Sequence, residues 1–142
     1  MQNEMELRFQ SLSGNEGFAR AVAAAFASQL NPSIEELSDI RTAVSEAVTN
    51  AIIHGYEQHT DRIVLMRIAI SENELTITVH DDGCGIADIE LARKPFYTSK
   101  PELERSGMGF SVMEAFMDSV TVTSEPGRGT TVTMQKRIRH AD

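Results

Sequence analysis

Met5, Leu7 and Phe9 alternate with polar neighbours over residues 4–12, which predicts a half-buried first strand. Ser13-Gly14-Asn15-Glu16 has the spacing of a capping box, in which a hydroxyl and a carboxylate satisfy the free amides of a helix start. Phe18, Val22, Ala25, Phe26 and Leu30 follow at helical spacing. Asn31-Pro32 ends that helix, and Ser33-Ile34-Glu35-Glu36 offers a second capping box. Leu37, Ile40, Val44, Ala47 and Ala51 then mark the buried stripe of a long helix reaching about Gly55.

The period changes from helical to alternating in the second half. Residues 63–70 and 75–81 predict two strands joined by the polar turn Ser71-Glu72-Asn73-Glu74. Leu75, Ile77 and Val79 alternate with Thr76, Thr78 and His80, as expected of an antiparallel sheet with one buried face. The second strand ends at Asp81-Asp82-Gly83-Cys84-Gly85. Ile89 to Arg93 predicts a short helix, and Pro95 and Pro101 bracket the polar segment Tyr97-Thr98-Ser99-Lys100. A connection this long in a compact domain is usually functional or mobile. Gly107-Met108-Gly109 opens a helix carrying Phe110, Val112, Met113 and Phe116, and strands over 119–124 and 130–138 close the chain around Glu125-Pro126-Gly127-Arg128-Gly129. This order predicts an α+β, two-layer sandwich, with helices packed on one face of a mixed, mainly antiparallel sheet.

Composition narrows the class. A chain of 142 residues suits one domain, 1–142, around a single core. The net charge of −8 and the absence of a Lys/Arg run argue against direct nucleic-acid binding, so a role in transcription would pass through a protein partner. Cys84 is the only cysteine, which excludes an internal disulfide and fits a reducing cytoplasm. Residues 1–10 are charged and lack the apolar core of a signal peptide. No apolar run approaches the roughly 20 residues of a membrane-spanning helix.

Four short motifs carry candidate chemistry. Glu46 and Asn50 lie four apart on the long helix and so share a face. Asn50 offers a neutral oxygen to Mg²⁺, and Glu46 a proton acceptor; the same spacing also suits a polar flank beside the core stripe. Asp81 ends a strand just before Gly83 and Gly85. Its carboxylate can accept from an exocyclic amine such as that of adenine, while the glycines let a flat ring approach; an acidic glycine turn is the other reading. Gly107-Met108-Gly109 at a helix start is a phosphate cradle or a plain loop-to-helix junction. It is neither a Walker A motif nor a full dinucleotide fingerprint. Gly127-Arg128-Gly129-Thr130-Thr131 forms the last motif, at the closing hairpin.

The order and spacing of these motifs resemble the N, G1, lid, G2 and final boxes of the GHKL (Bergerat) ATP-binding fold over about the whole chain. Three stretches further resemble the anti-sigma F factor family of GHKL protein-serine kinases in spore-forming bacteria. They are the opening Asn3-Glu4-Met5, residues 44–56 (VSEAVTNAIIHGY) and residues 100–110 (KPELERSGMGF).

That resemblance implies a function position by position. Asn50 would hold the Mg²⁺ that bridges ATP phosphates, and Glu46 would be the general base. Asp81 would bind the adenine amine, Gly83 and Gly85 would shape the base pocket, and Thr130 would complete it. Gly107, Met108 and Gly109 would set amides near the phosphates. Thr98, Ser99, Lys100 and Arg105 would belong to an ATP lid over about 94–106 that meets phosphate oxygens. The chain has no room for the phosphoacceptor domain of a histidine kinase, and a short chain with a glutamate at position 46 resembles the protein-serine kinases among anti-sigma factors, which implies a serine acceptor. The implied partners are ATP or ADP, a sporulation sigma factor F held inactive, an anti-anti-sigma factor phosphorylated on serine, and a second copy in a homodimer. Arg20, polar on an otherwise apolar helix, is a candidate sigma contact or a solvated arginine. An ATP-gated binding module with little phosphotransfer, or a kinase for a stress-response sigma factor, are the alternatives. Asp82 beside Asp81 would raise one carboxyl pKa by repulsion, with only Asp81 facing the pocket.

Overall fold

The computed structural model describes residues 1–94 and 109–139. In chain order they form β1 (Gln2–Gln10), α1 (Asn15–Ala27), a 3₁₀ turn (Ser28–Leu30) and α2 (Ile34–Asn50). A π-helical turn (Ala51–Gly55), β2 (Ile63–Ser71), β3 (Glu74–Asp81) and α3 (Ile89–Ala92) follow, then α4 (Gly109–Phe116), β4 (Ser119–Glu125) and β5 (Gly129–Arg137).

The five strands form one sheet in the order β1-β2-β3-β5-β4. Each of the four pairings is antiparallel, so among the described strands the sheet lacks the parallel pair that a mixed sheet would contain. The reason is connectivity. Two successive helices between β1 and β2 carry the chain away and back, so β2 returns against β1, and tight turns make the β2–β3 and β4–β5 hairpins.

The inward positions of β2 (Val64, Met66, Ile68, Ile70) and β3 (Leu75, Ile77, Val79) are fully buried. They join Ile40, Val44 and Val48 of α2 and Met113 of α4 in one core. α1 buries Ala19, Ala23 and Ala27 fully in that core, with Val22 and Phe26 packed partly buried against it. Phe18 is 53 % exposed and Ala25 also faces solvent, while Val22 and Phe26 are only partly buried. The expected stripe was therefore rotated: small residues let α1 approach closely, and size alone gave a misleading signal.

The two capping boxes have different outcomes. Ser33 forms its box, with the Glu36 amide donating to Ser33 Oγ (3.0 Å) and the Ser33 amide donating to Glu36 Oε1 (2.9 Å). At the first helix the N-cap is Gly14 and no side chain caps it. Asn15 Nδ2 reaches back to the Gln10 carbonyl (2.9 Å), and Glu16 pairs with Arg20 (3.2 Å).

Candidate functional site

A cavity of about 460 Å³ opens between α2, the end of β3, α4 and β5. That is within the size range of small-ligand sites. Asn50, Asp81, Gly85, Gly109 and Thr130 all line it, so residues far apart in sequence converge on one space.

Asp81 arrives there by strand periodicity. Leu75, Ile77 and Val79 point inward, and Asp81 is the next residue on that face, only 4 % exposed. Asp82 turns the other way, and its carboxylate meets His80 Nε2 at 2.7 Å on the open face of the sheet. The Gly83 amide donates to Asp81 Oδ1 at 2.9 Å. Burial pushes the Asp81 carboxyl up from 3.8 to about 6, against the lowering effect of the Gly83 and Thr130 amides. Repulsion from Asp82 adds to the rise but is a lesser cause than desolvation, since Asp82 faces water.

The glycines around Asp81 make room chiefly for other backbone. A Cβ on Gly83 would lie 2.0 Å from the Gly55 carbonyl oxygen, and one on Gly55 would lie 2.6 Å from Asp81 Cγ. Gly85 has φ +77° and fits against the Glu125 carbonyl. Gly83 is thus not itself on the cavity wall; it sets the turn and holds Asp81, while Gly85 does line the space. Thr130 is paired with Asp81 across the β3–β5 ladder, and its hydroxyl meets Ser124 Oγ at 2.8 Å.

Glu46 and Asn50 meet at the start of α4. A Cβ on Gly109 would be 3.1 Å from Asn50 Nδ2, 3.3 Å from its Oδ1 and 3.4 Å from Glu46 Oε2. Both side chains therefore reach the same point, where the helix dipole favours an anion. Glu46 also borders a separate groove between α1 and α2, lined by Gly17, Arg20, Ser38, Arg41 and Ser45. Glu46 thus stands between the groove and the cavity.

Thr98, Ser99, Lys100, Arg105, Gly107 and Met108 lie outside the described residues, as does nearly all of the expected lid. Gly55 and Tyr56, which the sequence places at the end of the long helix and in the stretch 44–56 with no role of their own, adjoin Asp81 and Asp82. Gly55 packs on the Asp81 carboxylate and accepts from the Cys84 amide at 2.9 Å. A glycine within a strongly helical pattern was the available signal.

Comparison with known proteins shows the family to which the chain belongs. Residues 10–136 match the family model described as a histidine kinase-like ATPase domain. An anti-sigma F factor of Clostridium perfringens (strain SM101 / Type A) is 59 % identical over 138 residues, covering 97 % of this chain and 99 % of that protein. One from Bacillus velezensis is 53 % identical over 138 residues, covering 97 % and 94 %.

The chain belongs to the anti-sigma F factor family. A solved structure of the RsbU and RsbW domains of a Mycobacterium tuberculosis protein superimposes with a TM-score of 0.68 at 18 % identity. The match covers 96 % of this chain and 32 % of that one, and it bears on the fold alone. The histidine kinase-like ATPase family to which the chain belongs is a nucleotide-binding one. Among the described residues no helix is long and apolar enough to cross a membrane.

The residues present fit Mg²⁺ as a partner of the nucleotide. Asn50 supplies a neutral oxygen beside Glu46, and among the described residues no cluster of three His, Cys, Asp or Glu could hold a metal. A cation here would take its other ligands from phosphate oxygens and water, as Mg²⁺ commonly does.

Proposed function

We propose that this protein is an ATP-dependent protein-serine kinase and anti-sigma factor, which holds sigma factor F inactive and phosphorylates a serine of an anti-anti-sigma partner. The observation that carries the reading is the convergence of Asp81, Asn50 and Gly109 on one cavity, with Glu46 at its border with the α1–α2 groove. In this reading Asp81 accepts from the adenine 6-amine, Thr130 and Gly85 complete the base site, and the start of α4 receives the phosphates. Gly107, Met108, Thr98, Ser99, Lys100 and Arg105 are the further proposed phosphate contacts.

Mg²⁺ would be held by Asn50 and the nucleotide, and would neutralise charge on the transferring phosphoryl group. The acceptor serine enters from the α1–α2 groove. Glu46 takes its hydroxyl proton as the oxygen bonds to the γ-phosphorus, the bond to the β–γ bridging oxygen breaks, and ADP leaves. Holding both reactants in line supplies most of the rate. Arg20 and Arg41 give the groove positive charge for an acidic partner segment, and Arg20 is the proposed sigma contact. The protein acts as a homodimer in the cytoplasm.

Incubating the chain with Mg-ATP and its anti-anti-sigma partner tests the reading by intact mass. One added phosphate on a single partner serine is the expected result. Tight ATP binding with no mass change would instead make the chain a nucleotide-gated binding module, and transfer to a histidine would overturn the acceptor assignment.

A further inference from the structure

The register of the sheet contains an interruption at the site. Val64 pairs with Asp81 as the last rung of the β2–β3 ladder, so Ile63 and Asp82 would form the next one. The Tyr56 hydroxyl stands in that place instead. It accepts from the Asp82 amide at 2.7 Å and donates to the Ile63 carbonyl at 2.6 Å. The phenol oxygen relays the bond that the two strands would otherwise make directly, and it ends the ladder at the residue that enters the cavity.

The chain around Tyr56 is built to deliver that hydroxyl. α2 does not stop at Asn50 but widens into the π-helical turn, closed by the Tyr56 amide on the Ala51 carbonyl at 2.9 Å. Such turns are rare and concentrate at functional sites. Glu57 and Gln58 then adopt left-handed backbone (φ 52° and 65°), which costs non-glycine residues energy and persists only where the surroundings enforce it. The His59 amide returns to the Tyr56 carbonyl at 2.9 Å, and buried Ser11 binds the His59 carbonyl. The result places the Tyr56 ring inside the protein, 6 % exposed. Burial also raises the phenol above its usual value of 10, so the hydroxyl keeps its proton and can serve both partners at once.

We infer that Tyr56 is a positioning residue for nucleotide-base selection: its hydroxyl terminates the β2–β3 ladder and fixes the backbone at Asp82, which aims the Asp81 carboxylate at the 6-amino group of the base. This rests on the assignment of Asp81 to adenine. Gly55 and Tyr56 together hold residues 81–84 at three points: the Asp81 carboxylate against Gly55 Cα, the Asp82 amide on the Tyr56 hydroxyl, and the Cys84 amide on the Gly55 carbonyl. The same helix carries Asn50 and Glu46, so the clamp ties the base end of the site to its phosphate end.

The test compares ATP with purine riboside 5′-triphosphate, which lacks the 6-amine, by equilibrium binding to native protein and to Tyr56→Phe. Native protein prefers ATP, and Tyr56→Phe weakens ATP roughly fivefold to tenfold, the scale of one hydrogen bond, while the purine analogue is unaffected. Equal loss for both ligands would make Tyr56 a general support of the fold, and no loss for either would remove it from selection; both overturn the inference. Native protein that binds the two ligands equally would instead refute the adenine role of Asp81 itself. Amide exchange at Asp82 in nucleotide-free native protein gives a second readout that needs no variant. Protection before ligand arrives is expected, and exchange at the rate of a free amide would overturn the clamp.

Discussion

Gly55→Ala would separate the position of Asp81 from the integrity of the fold. The added Cβ would lie 2.6 Å from Asp81 Cγ and from Oδ1, and 2.8 Å from Oδ2. Carbon atoms in good contact sit about 3.5–4.0 Å apart, so the carboxyl must move by about 1 Å. Its bond from the Gly83 amide is 2.9 Å, and that displacement breaks it. Overpacking of this kind costs about 1–3 kcal/mol. Replacing glycine returns about 0.5–1 kcal/mol, because the φ of Gly55 is not in the left-handed region and alanine can adopt it. The net loss of stability is therefore about 0–2.5 kcal/mol, and the domain still folds. Binding suffers more, since a hydrogen bond to a charged acceptor contributes about 1.5–3 kcal/mol, or roughly 10–150-fold in affinity. A thermal melt and a nucleotide titration on the same sample measure both quantities. A folded variant that binds ATP within about twofold of native would refute the reasoning. Gly83→Ala is the harsher change, because its Cβ would meet the Gly55 carbonyl oxygen at 2.0 Å, and backbone cannot step aside.

Three further outcomes follow from the same geometry. The raised Asp81 pKa means that the folded state binds its proton more tightly than the unfolded chain, so stability falls as pH rises from about 3.8 to about 6 and is level above. Asp81→Asn is expected to stabilise the nucleotide-free protein at pH 7 by up to about 3 kcal/mol, with little effect at pH 3, as read from denaturant melts at both values. Because the ionised carboxylate is a stronger acceptor for the adenine amine than its protonated form, ATP affinity in native protein should fall by up to about tenfold between pH 7 and pH 5 beyond any fall seen with Asp81→Asn, whose neutral amide does not titrate. Ser33→Ala removes the observed capping box and should cost about 1 kcal/mol in a melt without changing ATP affinity, whereas Ser13→Ala should be nearly silent because no side chain caps α1.

Regular periodicity made most of the fold legible. β3 alternates cleanly, and that alternation alone predicts Asp81 inward and Asp82 outward, as observed. Ser33 and Glu36 announced the start of α2 because the capping box is a local motif and needs no tertiary context. The failures arise where a neighbour decides. The alanine face of α1 is buried because α2 comes close, a fact invisible in the hydrophobicity of α1 itself. Glu16 went to Arg20 rather than to a cap because the chain before it turns at Gly14. In the site, the motif residues Asn50, Asp81, Gly85, Gly109 and Thr130 could be named from the sequence, since each belongs to a motif of fixed spacing. Gly55 and Tyr56 could not be assigned the same way. Their roles depend on a ladder between β2 and β3 that ends one rung early, and only the assembled sheet reveals that rung.

The proposed role of Glu46 is that of proton acceptor in phosphoryl transfer from ATP to a protein serine. Its most direct test is single-turnover transfer from labelled Mg-ATP to the anti-anti-sigma partner, comparing native protein with Glu46→Gln, after ATP affinity has been measured for both. With both proteins saturated with ATP, acid-stable label on the partner should appear with native protein and fall by about 10²-fold or more with the variant, because Glu46 Oε2 lies at the start of α4 beside Asn50. Equal transfer rates at equal ATP affinity would contradict the account.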